Sequence, residues 1–212
     1  MTGYIQDYDG QALTIKAPFQ DTFGFIKKKI TQCEIRLDDG RRISADQRKK
    51  IYATMRDISE YTGHPPDEVK EIMKYTYIEK TGCEEFSLSD VDMTTANLFL
   101  EFLIEWCVEW DIPCKDNLLE RSPDIARYLY HCLIHKKCCI TGKKAELHHV
   151  DAVGSRGNRK EIVHLGMRVL PLSRIMHTEA HTIGQKSFDE KYHVFGIKLD
   201  EELCRIWRVK SK

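Results

Sequence analysis

Proline and glycine are scarce, 6 and 12 among 212 residues, too few for a collagen-like, low-complexity or linker-dominated chain. Long apolar runs are missing too. The best candidate, Ala96 to Val108, is interrupted by Asn97, Glu101 and Glu105, and falls short of the ~20 apolar residues a membrane helix needs, so no membrane partner is expected. The opening Met1-Thr-Gly-Tyr-Ile-Gln-Asp-Tyr-Asp9 has neither the basic nor the apolar stretch of a secretion signal, and the chain is expected in the cytoplasm. Net charge is absent as well: 33 Lys and Arg meet 33 Asp and Glu, a balance that by itself argues against a nucleic-acid partner.

What is present is the composition of a globular protein, 42% hydrophobic and 31% charged, long enough for one ordinary domain or two small ones. The charge is neutral only in total. Residues 136–212 carry 16 Lys and Arg against 9 Asp and Glu, and the rest of the chain 17 against 24, so one half suits phosphate and the other does not. Eight cysteines in a cytoplasmic chain read as reduced core residues or metal ligands. Cys107, in an apolar helical stretch, reads as core. Cys138 and Cys139 are adjacent, which is poor spacing for a zinc knuckle, because neighbouring side chains do not easily turn toward one tetrahedral ion.

The pattern predicts an α+β fold. Residues 1–44 read as a small β-sheet, with strands at Tyr4-Ile-Gln, Ala12 to Lys16 and Cys33 to Leu37, a turn at Asp38-Asp-Gly, and helical character around Thr22 to Lys29. Residues 45–121 read as a helical region. Ser44 is placed to cap a helix to Tyr61 whose Ile51, Met55 and Ile58 share a face; Asp67 to Lys80 repeats the pattern with Val69, Ile72, Met73 and Tyr77. A third helix opens at Asp92 or Thr94, with Leu98, Phe102, Trp106 and Trp110 at four-residue steps until Pro113. After a change of character near Lys115 to Pro123, residues 122–212 form the last region, beginning with a helix that carries Ile125, Tyr128, Leu129 and Leu133.

Eight of the nine histidines lie between His131 and His193. His177 and His181 are the informative pair, because residues i and i+4 on a helix stand about 6 Å apart on one face, where two imidazoles can grip one ion. One further ligand makes a three-histidine site with open coordination positions, as hydrolytic metal centres require. Glu146-Leu-His-His-Val150 can supply it: adjacent residues of a strand point to opposite sides, so one histidine of the pair faces the metal and the other need not. His131, His135 and His193 read as structural residues.

Together, Glu146-Leu-His-His, the basic loop Val153-Gly-Ser-Arg-Gly-Asn-Arg-Lys160, and Met167-Arg-Val-Leu-Pro-Leu-Ser-Arg-Ile-Met-His-Thr-Glu-Ala-His181 resemble the HNH (ββα-metal) endonucleases, among them colicin DNases and phage HNH proteins. The resemblance implies a C-terminal ββα-metal unit in which His148, His177 and His181 hold one divalent ion (Mg2+, Mn2+, Ni2+ or Zn2+), while His149 serves as general base. It places the central Asn of the motif, which ties the loop between the strands, about nine residues before His177, where Arg168 stands. His164 is expected to take that role, with Asn158 as the other candidate. Ser173 and Met176 occupy the place of the second CxxC pair of zinc-stabilised members, so no structural zinc is expected. Arg156, Arg159, Lys160 and Arg174 are the expected phosphate contacts on a DNA partner.

The helical stretch from Ser44 to Cys107 resembles, in helix pattern alone, the Orf (NinB) recombination proteins of lambda-type phages. That resemblance implies a DNA-binding or dimerising platform, with Arg48, Lys49, Lys50 and Lys74 as possible contacts, single-stranded or branched DNA as a partner and a homo-oligomer as one arrangement. The two halves suggest a phage or prophage nuclease of recombination or replication. The alternative is a non-catalytic, single-strand-binding mediator with a degenerate HNH unit.

Overall fold

Alternating residues at both ends of a polar turn begin the chain. A computed structural model describes residues 3–18, 26, 27, 29, 40–151 and 163–211, and it divides into two units, Met1–Asp39 and Gly40–Lys212. In the first, β1 (Tyr4–Tyr8) pairs antiparallel with β2 (Leu13–Lys16). Asp9 Oδ1 accepts from the amides of Gln11 and Ala12, 2.8 Å each, which closes the turn. Of the helix expected around Thr22 to Lys29, Ile26 and Lys27 are helical; its remainder and the strand expected at Cys33 to Leu37 lie almost wholly outside the described residues.

The second unit opens with α1 (Ala45–Thr62). Ser44 accepts from the Gln47 amide at 3.1 Å while Gln47 Oε1 accepts from the Ser44 amide at 2.8 Å, so two of the helix's unpaired first-turn donors are satisfied reciprocally. Helix α2 (Pro66–Thr81) packs on α1 through Val69, Met73 and Tyr77; Ile72, expected on that face, is exposed. Helix α3 (Met93–Glu109), capped by Asp92, is the centre of the unit, touching α1, α2 and the later helix Ile125–His135. Its expected stripe is only one flank. Trp110 is 56% exposed, whereas Ala96, Phe99, Leu100, Leu103, Ile104, Cys107 and Val108 are buried together with Phe102, because three neighbouring helices cover more of its circumference than one amphipathic face would need.

After the short α4 (Leu118–Arg121), α5 (Ile125–His135) leads to a three-stranded antiparallel sheet in the order β3 (Glu146–His149), β4 (Arg168–Leu172), β5 (Ile197–Lys198). Helices α6 (Arg174–Ile183) and α7 (Gln185–Tyr192) intervene between β4 and β5, and α8 (Glu201–Trp207) follows. This is the α+β architecture expected, with strand, strand and helix in the order of a ββα unit.

Packing runs across the boundary drawn from the pattern at residue 121. The helices before residue 121 and the sheet after it share one hydrophobic core, which runs from Ile51 and Phe99 through Leu129 to Leu170, Leu172 and Phe188, so residues 45–121 and 122–212 are not separate compact units. The division falls instead between Asp39 and Gly40. Charge reinforces the joint: Arg127 of α5 bonds Glu101 and Glu105 of α3 at 2.8 and 2.6 Å. Arg121, 5% exposed, bonds Asp57 of α1 at 2.6 Å. Among the described residues no helix is long and apolar enough to cross a membrane.

Candidate metal centre

Strand β3 alternates, and the alternation sorts its side chains. Glu146 and His148 turn toward α6, while His149 turns to the other face. His148 is 3% exposed. On α6, Met176 and Ala180 are buried against the core, which fixes the helix's rotation and presents the neighbouring positions, His177 and His181, to the strand. Ring centroids lie 4.7 Å apart for His148 and His177, 5.1 Å for His148 and His181, and 5.0 Å for His177 and His181. The three expected ligands are therefore brought together, with one nitrogen of each within 4.8 Å of the others. An ion that holds nitrogens at about 2.1 Å needs them about 3.4 Å apart in a tetrahedral set, inside the 4.8 Å that bounds this cluster.

The donor chemistry also fits an ion. His148 Nε2 lies 2.7 Å from Gln185 Oε1, and its Nδ1 is buried with no hydrogen-bond partner, a costly arrangement for a polar atom unless something else is to occupy it. His177 Nδ1 faces Glu146 Oε2 at 3.1 Å, leaving Nε2 for an ion. Such outer partners set which imidazole nitrogen is available. Burial lowers the His148 pKa, helped by the nearby His177 and His181 and opposed by the hydrogen bond to Gln185, so the ring favours the neutral form that a ligand must have.

His149 stands beside this cluster on the opposite face of the strand. Its Nε2 is 2.9 Å from His164 Nδ1. Burial lowers its pKa first, and the His164, His148 and His177 rings lower it further against the opposing pull of Asp151. His164 is thus in direct contact with the expected base. Between the strand ends, Arg168 gives Nε and Nη2 to Asp151 Oδ1 at 3.0 and 2.6 Å, and its amide donates to Oδ2 at 2.8 Å. Asn158 lies outside the described residues, as do Arg156, Arg159 and Lys160. Arg174, 81% exposed, bonds Glu146 Oε1 at 3.2 Å, one residue removed from His177.

Three residues that complete the site carry no motif. Asp151 is found only through its pairing with Arg168. Gln185 and Asp189 lie on α7, after the Gly184 break; Gln185 Nε2 donates to Asp189 Oδ1 at 2.6 Å. Gly184 has φ 83 and ψ 149, a conformation open essentially to glycine alone, and it is this turn that returns Gln185 to His148.

Cys138 and Cys139 are buried, the Cys139 amide donates to the Pro171 carbonyl at 3.1 Å, and Tyr128 OH donates to the Cys139 carbonyl at 2.9 Å. Hydrogen bonds and burial thus tie this segment to β4 and α5.

No curated protein and no solved structure matches the chain. A family model described as "Putative HNHc nuclease" matches residues 20–210, a span that takes in the helical region together with every histidine of the cluster. Since that match covers nearly the whole sequence, the chain belongs to this HNHc nuclease family.

Proposed function

We propose that this protein is a metal-dependent endonuclease that hydrolyses DNA phosphodiester bonds, and that it works on recombination or replication intermediates of a phage or prophage. The observation that carries the reading is the juxtaposition of three imidazoles in one cluster with a fourth, His149, on the adjoining strand position. His148, His177 and His181 would hold one divalent ion, Mg2+, Mn2+, Ni2+ or Zn2+, whose chemistry is to neutralise charge that builds on the phosphate and the leaving 3′ oxygen.

The protein's own groups do the rest. His149 takes the proton of the attacking water. In the tautomer that gives Nε2–H to His164 Nδ1, the remaining ring nitrogen of His149 is the basic one, and the imidazolium formed on proton transfer keeps its partner; this is the orienting logic of base-and-partner pairs generally. Burial and the neighbouring rings lower the His149 pKa, which favours the unprotonated base before the reaction. Arg174, together with Arg156, Arg159 and Lys160 of the basic loop, would position the phosphate backbone. The Orf-like reading of the helical segment adds a DNA-binding or dimerising platform to this scheme.

Plasmid nicking across the four metals, with an EDTA control, tests the reading. Wild type is expected to nick and His149→Ala to bind DNA and metal without nicking. Equal nicking by both, or none by wild type with any metal, overturns it, and DNA binding without cleavage would favour a non-catalytic mediator.

A further inference from the structure

The ring of His148 is held by an amide, and an amide has two ends. Gln185 meets His148 Nε2 with its oxygen at 2.7 Å and Asp189 Oδ1 with its nitrogen at 2.6 Å. An ionised carboxylate only accepts hydrogen bonds, so Asp189 can be satisfied only by the NH2 end. That leaves the carbonyl end for His148, and a carbonyl only accepts, so the proton of the neutral imidazole must sit on Nε2. The lone pair is then on Nδ1, the buried atom that has no hydrogen-bond partner.

We infer that Asp189 and Gln185 form a positioning relay that locks His148 in its Nε2–H tautomer and so presents Nδ1 to a divalent cation. The inference rests on the metal-centre reading and adds to it the pair of residues that orients its most buried ligand. Gln185 touches His148 and Asp189 touches Gln185, so both act through His148. Gly184 makes the arrangement possible, because it breaks the helix between His181 and Gln185.

The relay makes a chemical demand that ordinary packing would not. Asp189→Asn replaces an acceptor by a group with both kinds of end, so the Gln185 amide is free to reverse, present NH2 to His148, and drive the proton onto Nδ1. Gln185→Leu removes the acceptor altogether. The combination Gln185→Glu with Asp189→Asn rebuilds the relay with its charge moved: a carboxylate at position 185 accepts from His148, and the amide at 189 donates to it.

The test uses the full chain. Nitrogen shifts of the histidine rings in metal-free protein report each tautomer, and calorimetric titration with Zn2+ reports affinity. Wild type is expected to show His148 as the Nε2–H form. Gln185→Leu should mix the tautomers and weaken Zn2+ binding by about 10- to 100-fold, the usual cost of losing an outer partner of a metal-bound histidine. Asp189→Asn should lie between, and the double variant should return to near wild-type affinity, an outcome that loss of packing would not give. A wild-type His148 protonated on Nδ1, or Zn2+ affinity unchanged in Gln185→Leu, overturns the inference. If wild type shows the Nε2–H tautomer, lost in Gln185→Leu, but binds no Zn2+, the lock stands as to orientation, whereas its assignment to a cation and the metal-centre reading both fail.

Discussion

Nε2 of His149 and Nδ1 of His164 lie 2.9 Å apart, a separation that accommodates one proton and not two. The pair makes His164 the partner of the proposed base, and the effects of removing each ring should be graded. His149→Ala is expected to lower cleavage by about 100-fold or more, the lower end of what a positioned base contributes, with metal affinity retained. His164→Ala should lower it less, because the base survives with a looser orientation. His177→Ala should lose metal binding and cleavage together. Calorimetry and nicking rates on the three variants check the order.

The Arg168–Asp151 pair ties the end of β3 to the start of β4, but both side chains are partly exposed, at 53% and 37%, so its contribution to stability is screened. Arg168→Ala is therefore expected to leave the urea midpoint nearly unchanged while slowing cleavage, because it loosens the strand end that carries His149. A large drop in stability with unaltered turnover of the folded fraction would contradict this assignment.

Gly196 lies against the same junction. A Cβ there would come within 2.8 Å of Arg168 Cβ and 2.9 Å of Val150 Cγ2, and Arg168 Cβ moves only with its backbone. Gly196→Ala is expected to cost about 1–3 kcal/mol, as overpacking generally does, and to displace the strand end as well. Equilibrium unfolding with a nicking assay measures both; an alanine variant as stable and active as wild type would show that the junction yields freely.

Asp57 is buried against Arg121, and three acceptors share that guanidinium: Asp57 at 2.6 Å, Asp116 at 2.9 Å and Thr54 at 3.2 Å. Burial works against the Arg121 charge, but Asp57 and Asp116 outweigh it and raise its pKa. Asp57→Ala should destabilise by about 3–5 kcal/mol, since it strands a buried cation whose remaining carboxylate partner, Asp116, is exposed. Chemical denaturation would show the loss, and a change under 1 kcal/mol, small against that range, would mean that water or Asp116 compensates.

Glu105 predicts how stability responds to acid. Burial works to raise its pKa, but hydrogen bonds from His131 and Arg127 prevail and hold it below the ordinary carboxylate value. A group depressed in the folded state contributes its stability above its unfolded pKa, about 4.3, and loses it as pH falls through the lower folded value. The stability gap between wild type and Glu105→Gln should thus shrink as pH falls below about 4, where the unfolded-state carboxylate takes up protons. Urea unfolding at a series of pH values measures it; a gap that grows with acid reverses the sign and rejects the account.

Much of the site could be read before any coordinates. The His177-x-x-x-His181 spacing is local helical geometry, and the facing apart of His148 and His149 is local strand geometry, so both follow from the chain alone. The same holds for Ser44 as the cap of α1, whose bond from the Gln47 amide spans three residues. Less legible was the breadth of burial on α3, because a four-residue stripe of aromatics stands out in sequence even where the helix is covered on several sides. Gln185 escaped notice for a similar reason: nothing about a glutamine after a glycine marks it as the partner of a histidine 37 positions earlier.

Short-range order was set by residue type and spacing: where helices start, which way alternate strand residues point, and that two imidazoles on α6 share a face. Tertiary structure alone decided the long-range pairings, Arg168 with Asp151, Gln185 with His148 and Arg121 with Asp57. A period of 3.6 or 2 residues constrains neighbours along the chain, whereas contact between distant side chains depends on how whole elements pack, and that is decided by a core to which every element contributes.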